Sequence, residues 1–78
     1  MSSSTLDKLP VGASARVQDV SGDPALQQRL LEMGVLPGTE VTVVRFAPLG
    51  DPMEIKVMGY SLSLRRSEAA HVSVEVAS

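Results

Sequence analysis

The stretch "EVTVVRFAPLGDPMEIKVMGYSLSLRR", residues 40–66, decides the fold. Aliphatic and β-branched side chains alternate in it with polar ones, at the period of two that is typical of a strand with one buried face. Turn-forming residues interrupt the alternation twice, so the pattern predicts three strands, at 40–47, 53–59 and 60–66. Connections this short indicate antiparallel neighbours.

Two further strands are predicted on either side of this stretch. "ASARVQDV" (13–20) and "HVSVEV" (71–76) show the same alternation. Residues 1–5 are polar and show none, so we expect them to form a disordered tail. In a chain of 78 residues, five short strands are best accommodated by curling into a partly open barrel, which hides sheet edges. We therefore expect a mainly β fold of about five antiparallel strands, as a single domain spanning 1–78.

One short helix is predicted after the first strand, at 24–33. Asp23 can accept amide hydrogen bonds as the N-cap, and Pro24 suits the first helical position. Gly34 fits the left-handed position that ends a helix. "LPGT" (36–39) then places proline and glycine at the centre of a type II turn.

The helix carries an apolar stripe, and one leucine lies off it. Leu26, Leu30 and Met33 share a face at spacings of four and three residues. Leu31 falls away from that face, and two interpretations are open. The favoured one is that the amino-terminal Leu6 and Leu9 cover it, and the alternative is an exposed contact residue. The apolar residues of the helix and of the segment proposed to cover it are Leu6, Leu9, Leu26, Leu30, Leu31 and Met33.

Composition argues against several classes of protein. The formal net charge is −2, the pI is about 5.2, and only two residues are aromatic. A nucleic-acid-binding domain usually has a basic surface and stacking aromatics. There is no cysteine, which excludes disulfides and thiol catalysis. No apolar run approaches the roughly 18 residues needed to span a bilayer, and no signal peptide is recognisable. We expect a cytoplasmic protein with no direct membrane insertion and no nucleic-acid partner.

Catalytic and metal sites are also disfavoured. Glu68 and His71 have the Glu-x-x-His spacing of di-iron helical bundles. Such a site needs a second motif and further glutamates on facing helices, whereas this chain has a single histidine. We interpret the segment as a helical turn joining two strands. No serine has a credible triad partner, so we expect no catalytic residue, no metal ligand and no cofactor.

The segment "FAPLGDPMEI" (46–55) is predicted to be a wide hairpin tip. Pro48 and Pro52 cannot donate ladder hydrogen bonds, so strand pairing should lapse around them. Gly50 permits positive φ, and Asp51 can cap the turn through its own side chain.

Turn chemistry gives no reason for a leucine at this tip. Leu49 either folds back over Phe46 or Ile55, or faces a partner. The second alternative is our hypothesis for function, because loops on a rigid scaffold commonly carry recognition. The candidate partner-binding residues are Leu49, Pro48, Asp51 and, on the helix, Arg29.

The run from Arg29 to Val74 resembles the FeoA family of small proteins of bacterial ferrous-iron uptake. The likeness extends from about Leu9 to Val76. It rests on "RL" with "MG" at 29–34, "PG" at 37–38, "PLGDP" at 48–52 and "GYSLSLRRSEA" from residue 59, in this order and spacing. The resemblance implies an SH3-like barrel without catalytic residues. It also implies a partner, the cytoplasmic part of the membrane iron transporter FeoB, which includes a G-protein domain.

The alternative is a regulatory domain related to the carboxy-terminal domain of iron-dependent repressors of the DtxR type, which shares this fold. That interpretation requires a fragment, since no DNA-binding part is attached. We expect otherwise, because the sequence starts at Met1 and predicts a complete set of strands.

Overall fold

The computed structural model describes residues 2–76, which form one antiparallel sheet of six strands with two helices packed on it. The elements are β1 (Ser2–Thr5), a 3-10 turn (Leu6–Lys8), β2 (Ser14–Val20), α1 (Pro24–Glu32), β3 (Glu40–Phe46), β4 (Met53–Val57), β5 (Tyr60–Leu64), α2 (Arg66–Ala69) and β6 (Val72–Val76). The strand order is β1-β6-β2-β3-β4-β5, so β1 and β5 form the two edges of a partly open sheet. The predicted mainly β fold is confirmed. No helix within residues 2–76 is long and apolar enough to cross a membrane.

An apolar core holds the sheet together, and the alternation in the sequence produces it. Met53, Ile55 and Val57 on β4 are fully buried, as their spacing predicts. The rest of the core comes from β2, β3, β5, β6, both helices, the amino-terminal turn and the segments that flank them. The other buried residues are Leu6, Leu9, Ala15, Val17, Leu30, Val35, Val41, Val43, Leu64, Ala69, Val72 and Val74.

The expectation of a disordered tail is wrong for residues 2–5. They form β1, which pairs antiparallel with β6, Ser3 opposite Glu75 and Thr5 opposite Ser73. Met1 lies outside the described residues. The strand was not predicted because backbone hydrogen bonds to an open edge form it, and its serines need no alternation of polarity. The sheet therefore has six strands rather than five.

The limits of α1 follow the predicted capping chemistry. The Asp23 carboxylate accepts the Leu26 N–H at 2.8 Å. The helix ends at Glu32, one residue earlier than predicted. Gly34 follows with φ of +93°, as its position past the helix requires. The "LPGT" turn is also present, since the Thr39 N–H donates to the Leu36 carbonyl at 3.0 Å.

The favoured interpretation of Leu31 is wrong. Leu6 and Leu9 are buried in the core and do not shield Leu31 from solvent. Leu31 remains 50% exposed on α1, beside a groove of about 390 Å³ that Pro24, Gln28 and Pro37 help to line.

Gly34→Ala should destabilise the domain by about 1–3 kcal/mol. Alanine is strained at φ of +93°, and a Cβ here would lie 2.9 Å from the Tyr60 hydroxyl oxygen. Gly38→Ala is the matched control, since Gly38 has φ of +91° with nothing within 4 Å of its Cβ position. Urea denaturation should give a larger loss for Gly34→Ala than for the control. Equal losses would show that Tyr60 does not restrict this position.

Candidate functional site

The most exposed large apolar side chain sits on the loop that joins β3 to β4, residues 47–52, which we call the tip loop. Strand pairing ends at Phe46 opposite Met53, as the prolines beyond them predict. The Gly50 N–H donates to the Ala47 carbonyl at 2.7 Å, and the Ala47 N–H donates to the Pro52 carbonyl at 2.9 Å. Gly50 has φ of +88°. The loop is thus closed by its own backbone.

Leu49 is 97% exposed at the end of this loop. The alternative in which it folds back over Phe46 or Ile55 is therefore wrong. Pro48 beside it is also exposed. A fully solvated leucine makes no contribution to the core, so its presence is not explained by the stability of the domain.

Asp51 fixes the tip loop to α2 rather than capping its own turn. Its carboxylate accepts the Arg66 N–H at 2.8 Å, and Arg66 is the first residue of α2. The short helix leaves its first amide groups without intrahelical partners, and the carboxylate satisfies one of them. Asp51 therefore accepts a backbone N–H as predicted, but that N–H belongs to α2 and not to the turn that contains Asp51.

The Arg66 side chain makes a second connection at the same place. Its guanidinium lies 5.1 Å from the centroid of the Phe46 ring, in cation–π geometry. It also donates to the Asp7 carbonyl at 3.1 Å. The base of the tip loop is therefore tied to α2 and to the amino-terminal turn, so Leu49 is presented from an anchored loop.

Asp51→Ala should destabilise the domain by about 1 kcal/mol, the usual effect of losing a helix cap. Asp51→Asn is the control, because its side-chain oxygen can still accept the Arg66 N–H. Thermal unfolding should rank the proteins wild type, then Asn, then Ala. Identical midpoints for all three would mean that the Asp51 bond to α2 adds nothing to stability.

The structure does not join Arg29 to the tip loop. Arg29 forms an ion pair with Glu68 of α2, and its side chain remains about half exposed. The tip loop reaches the same short helix through Arg66. Arg29 and the tip loop thus contact different residues of α2, and their common role in partner binding stays a prediction.

Glu68 and His71 are already engaged within the fold. Glu68 pairs with Arg29 and accepts the Arg65 N–H at 3.0 Å. A His71 ring nitrogen lies 3.4 Å from the Ser21 hydroxyl. The predicted helical turn between the last two strands is confirmed as α2. Within residues 2–76, no three His, Cys, Asp or Glu side chains are grouped so that they could hold a metal ion.

We expect no tight stoichiometric binding of ferrous iron by the purified protein, because the donor set is scattered. Anaerobic titration calorimetry should give no saturable site. A single site that disappears in His71→Ala would overturn this prediction.

A second exposed apolar group lies at the turn between β4 and β5, and it is not among the predicted site residues. Met58 has φ of +52° and Gly59 has φ of +87°, as in the type I′ turn of a two-residue hairpin. Met58 is 69% exposed, and Tyr60 is 44% exposed while its hydroxyl donates to the Met33 carbonyl. The strand predicted at 53–59 therefore ends two residues early, at Val57, because Met58 and Gly59 form the turn. Gly59 was the available signal, since glycine favours the positive φ that this turn requires.

The six-stranded, partly open sheet and its anchored loop define a small β-barrel domain of the SH3-like class. The FeoA domain model matches residues 4–76. The chain therefore belongs to the FeoA family.

Sequence similarity extends to a protein that combines two transport components. The chain is 42% identical over 73 residues to the Fe(2+) transport protein A/Fe(2+) transporter FeoB fusion protein of Porphyromonas gingivalis. The match covers 94% of this chain and 9% of that protein. The chain thus spans less than a tenth of this relative's length.

Solved FeoA structures have the same fold. The FeoA protein of Chlorobium tepidum is 39% identical, with a TM-score of 0.90 over 96% of this chain and 71% of that one. The FeoA of Stenotrophomonas maltophilia, described as an SH3 domain protein and complexed with zinc, is 37% identical. Its TM-score is 0.81 over 92% of this chain and 89% of that one.

The fold also occurs in a manganese-dependent transcriptional repressor, with a TM-score of 0.87 over 96% of this chain and 42% of that one, at 14% identity. IdeR of T. acidophilum superimposes with a TM-score of 0.86 over 99% of this chain and 35% of that one, at 18% identity. At this identity the likeness concerns the fold alone. The predicted sharing of the fold with DtxR-type repressors is confirmed.

Proposed function

We propose that this protein is a cytoplasmic, non-enzymatic accessory protein of ferrous-iron uptake that binds the cytoplasmic part of the transporter FeoB. The P. gingivalis relative supports this partner, since it combines FeoA and FeoB in one fusion protein. Because the two components are fused in one organism, we expect them to associate where they are separate chains.

The observation that carries the proposal is the 97% exposure of Leu49 on an anchored loop. A standard interface covers about 800 Å² of each partner, which is about a sixth of the 4602 Å² surface of this domain. A projecting, pre-organised loop supplies part of that area with little loss of conformational entropy on binding. Leu49 becomes buried when the partner binds, and Pro48 packs beside it.

Asp51 and Arg29 have supporting roles in this proposal. Asp51 holds the tip loop in place through α2, so its contribution is to position Leu49. Arg29 lies on α1 with about half of its side chain exposed, so it can contact an acidic group of a partner that extends past α2. The Arg29 contact is peripheral to that of Leu49.

Affinity capture from the native cells tests the proposal. The full-length chain carrying a tag is expressed at its normal level, membranes are solubilised in mild detergent, and captured proteins are identified by mass spectrometry. FeoB should be recovered with the wild type and depleted with Leu49→Ser. Recovery of a DNA-binding chain instead would favour the repressor-related alternative. Recovery of nucleic acid would contradict both.

A further inference from the structure

The exposed edge of β5 has free hydrogen-bonding groups. Among the described residues 2–76, β5 pairs with β4 alone. Val57 lies opposite Tyr60 across the two-residue turn, so this pair exchanges hydrogen bonds, and such pairs recur at every second position. The N–H and C=O groups of Ser61 and Ser63 therefore point away from the sheet.

This edge lacks the features that usually prevent strand addition. Edge strands are normally protected by charged residues, proline or bulges, and "YSLSL" contains neither charge nor proline. Leu62 lies opposite the fully buried Ile55 but is itself partly exposed. Its apolar surface is left uncovered because, within residues 2–76, no strand lies on the other side of β5.

The two most exposed large apolar side chains mark the two ends of the same edge. Met58 precedes β5 at the hairpin turn. At the other end, Leu64 lies opposite Met53, which directly follows the tip loop that carries Leu49. An extended chain lying along β5 would thus run from Met58 to the tip loop.

The unpaired charges that flank this edge strand are positive, although β5 itself carries none. Lys56 lies opposite Ser61, with both side chains on the outer face of the sheet. Arg65 follows β5 and is exposed. Neither forms an ion pair within the described part of the chain. Glu54, opposite Ser63, is already paired with Arg45.

We propose that the β5 edge binds an extended segment of the transporter's cytoplasmic part as a seventh strand. Apolar residues of this segment face inward beside Leu62. Its carboxylates face outward, next to Arg65 and within reach of the long Lys56 side chain, which extends from β4 across Ser61. This inference rests on the proposed function and identifies the surface through which this protein binds the transporter. Strand addition of this kind gains affinity from main-chain hydrogen bonds and specificity from alternate side chains.

The charge pattern favours this occupant over a second copy of the chain. A second β5 strand would bring "YSLSL", which has no carboxylate to place beside Lys56. The five-residue strand is also short for an interface between free copies. In a fused relative, the link between the two parts raises the local concentration, so a short interface is sufficient.

Amide hydrogen exchange measured by NMR tests the proposal on the full-length chain, with the purified soluble cytoplasmic part of FeoB from the same organism added. In the free protein, Ser61 and Ser63 amides should exchange fast and the Leu62 amide slowly. On addition of the FeoB part, the Ser61 and Ser63 amides should slow at least tenfold.

Each other outcome overturns the inference in a distinguishable way. Binding that leaves Ser61 and Ser63 unprotected would refute the edge and leave the proposed function intact. Protection that depends on the concentration of the protein alone would identify a second copy as the occupant. Absence of any binding would refute the proposed function together with the inference.

A variant pair provides an independent check. Ser63→Pro removes an N–H that β4 does not use, so the domain should fold, as edge positions tolerate proline. It should bind the FeoB part at least tenfold more weakly, whereas Ser63→Thr, which retains the N–H, should bind within twofold of wild type. Equal affinities for the two variants would contradict the proposal. If Ser63→Pro does not fold, the exchange measurement on the wild type decides.

Discussion

Leu6→Ala should lower the free energy of unfolding by about 2–5 kcal/mol, as large-to-small changes at fully buried leucines do. Leu6 is 0% exposed although it lies in the short amino-terminal turn. A domain of this length is stabilised by roughly 4–12 kcal/mol in total. The substitution should therefore remove a large share of the stability. Urea denaturation followed by circular dichroism measures this loss.

Leu31→Ala is the matched control for this prediction. The same atoms are removed at a half-exposed position on α1, where surface substitutions usually change stability by about 0.5 kcal/mol or less. Similar losses for the two variants would contradict the assignment of Leu6 to the core.

Leu49→Ser should weaken binding of the FeoB cytoplasmic part by about 10- to 100-fold without changing the thermal midpoint. Burying a leucine on binding contributes about 1.5–3 kcal/mol, and each 1.4 kcal/mol is a factor of about ten in affinity. Stability should be unchanged because the side chain is solvated in the free protein. Calorimetric titration and thermal unfolding of the same preparation provide both values.

Leu31→Ser serves as the comparison, since it makes the same change at another exposed leucine. It should bind like the wild type. An equal loss of affinity in both variants would show that the tip loop is not the specific contact. A loss of several degrees in Leu49→Ser with normal binding would show that Leu49 is structural.

Local chemistry is why the sequence predicts much of the fold. Alternation fixes which face of β4 is buried, and Asp23, Pro24 and Gly34 delimit α1 to within one residue. These signals act over a few residues and leave a periodic pattern. Such local signals are present even in a short chain that has no disulfides.

Features that depend on distant partners were not predictable in the same way. β1 exists because β6 offers it an edge some 70 residues away, and its own serines carry no pattern. Tyr60 continues an alternating run, yet it is exposed and donates to the Met33 carbonyl at the end of α1.

The candidate site also combines features that local sequence predicts with features that depend on distant contacts. The sequence singles out Leu49 because turn chemistry does not explain it, but its exposure depends on how the tip loop is held. Asp51 reaches α2 fifteen residues along the chain, and the Arg66 guanidinium reaches the carbonyl of Asp7, 59 residues away. Such contacts become visible only when the fold brings the elements together.

Association with FeoB is the central claim, and isothermal titration of the full-length chain into the purified cytoplasmic part of FeoB tests it most directly. We expect saturable one-to-one binding that is weakened at least tenfold in Leu49→Ser and retained in Leu31→Ser. Absence of saturable binding with both proteins folded would contradict it.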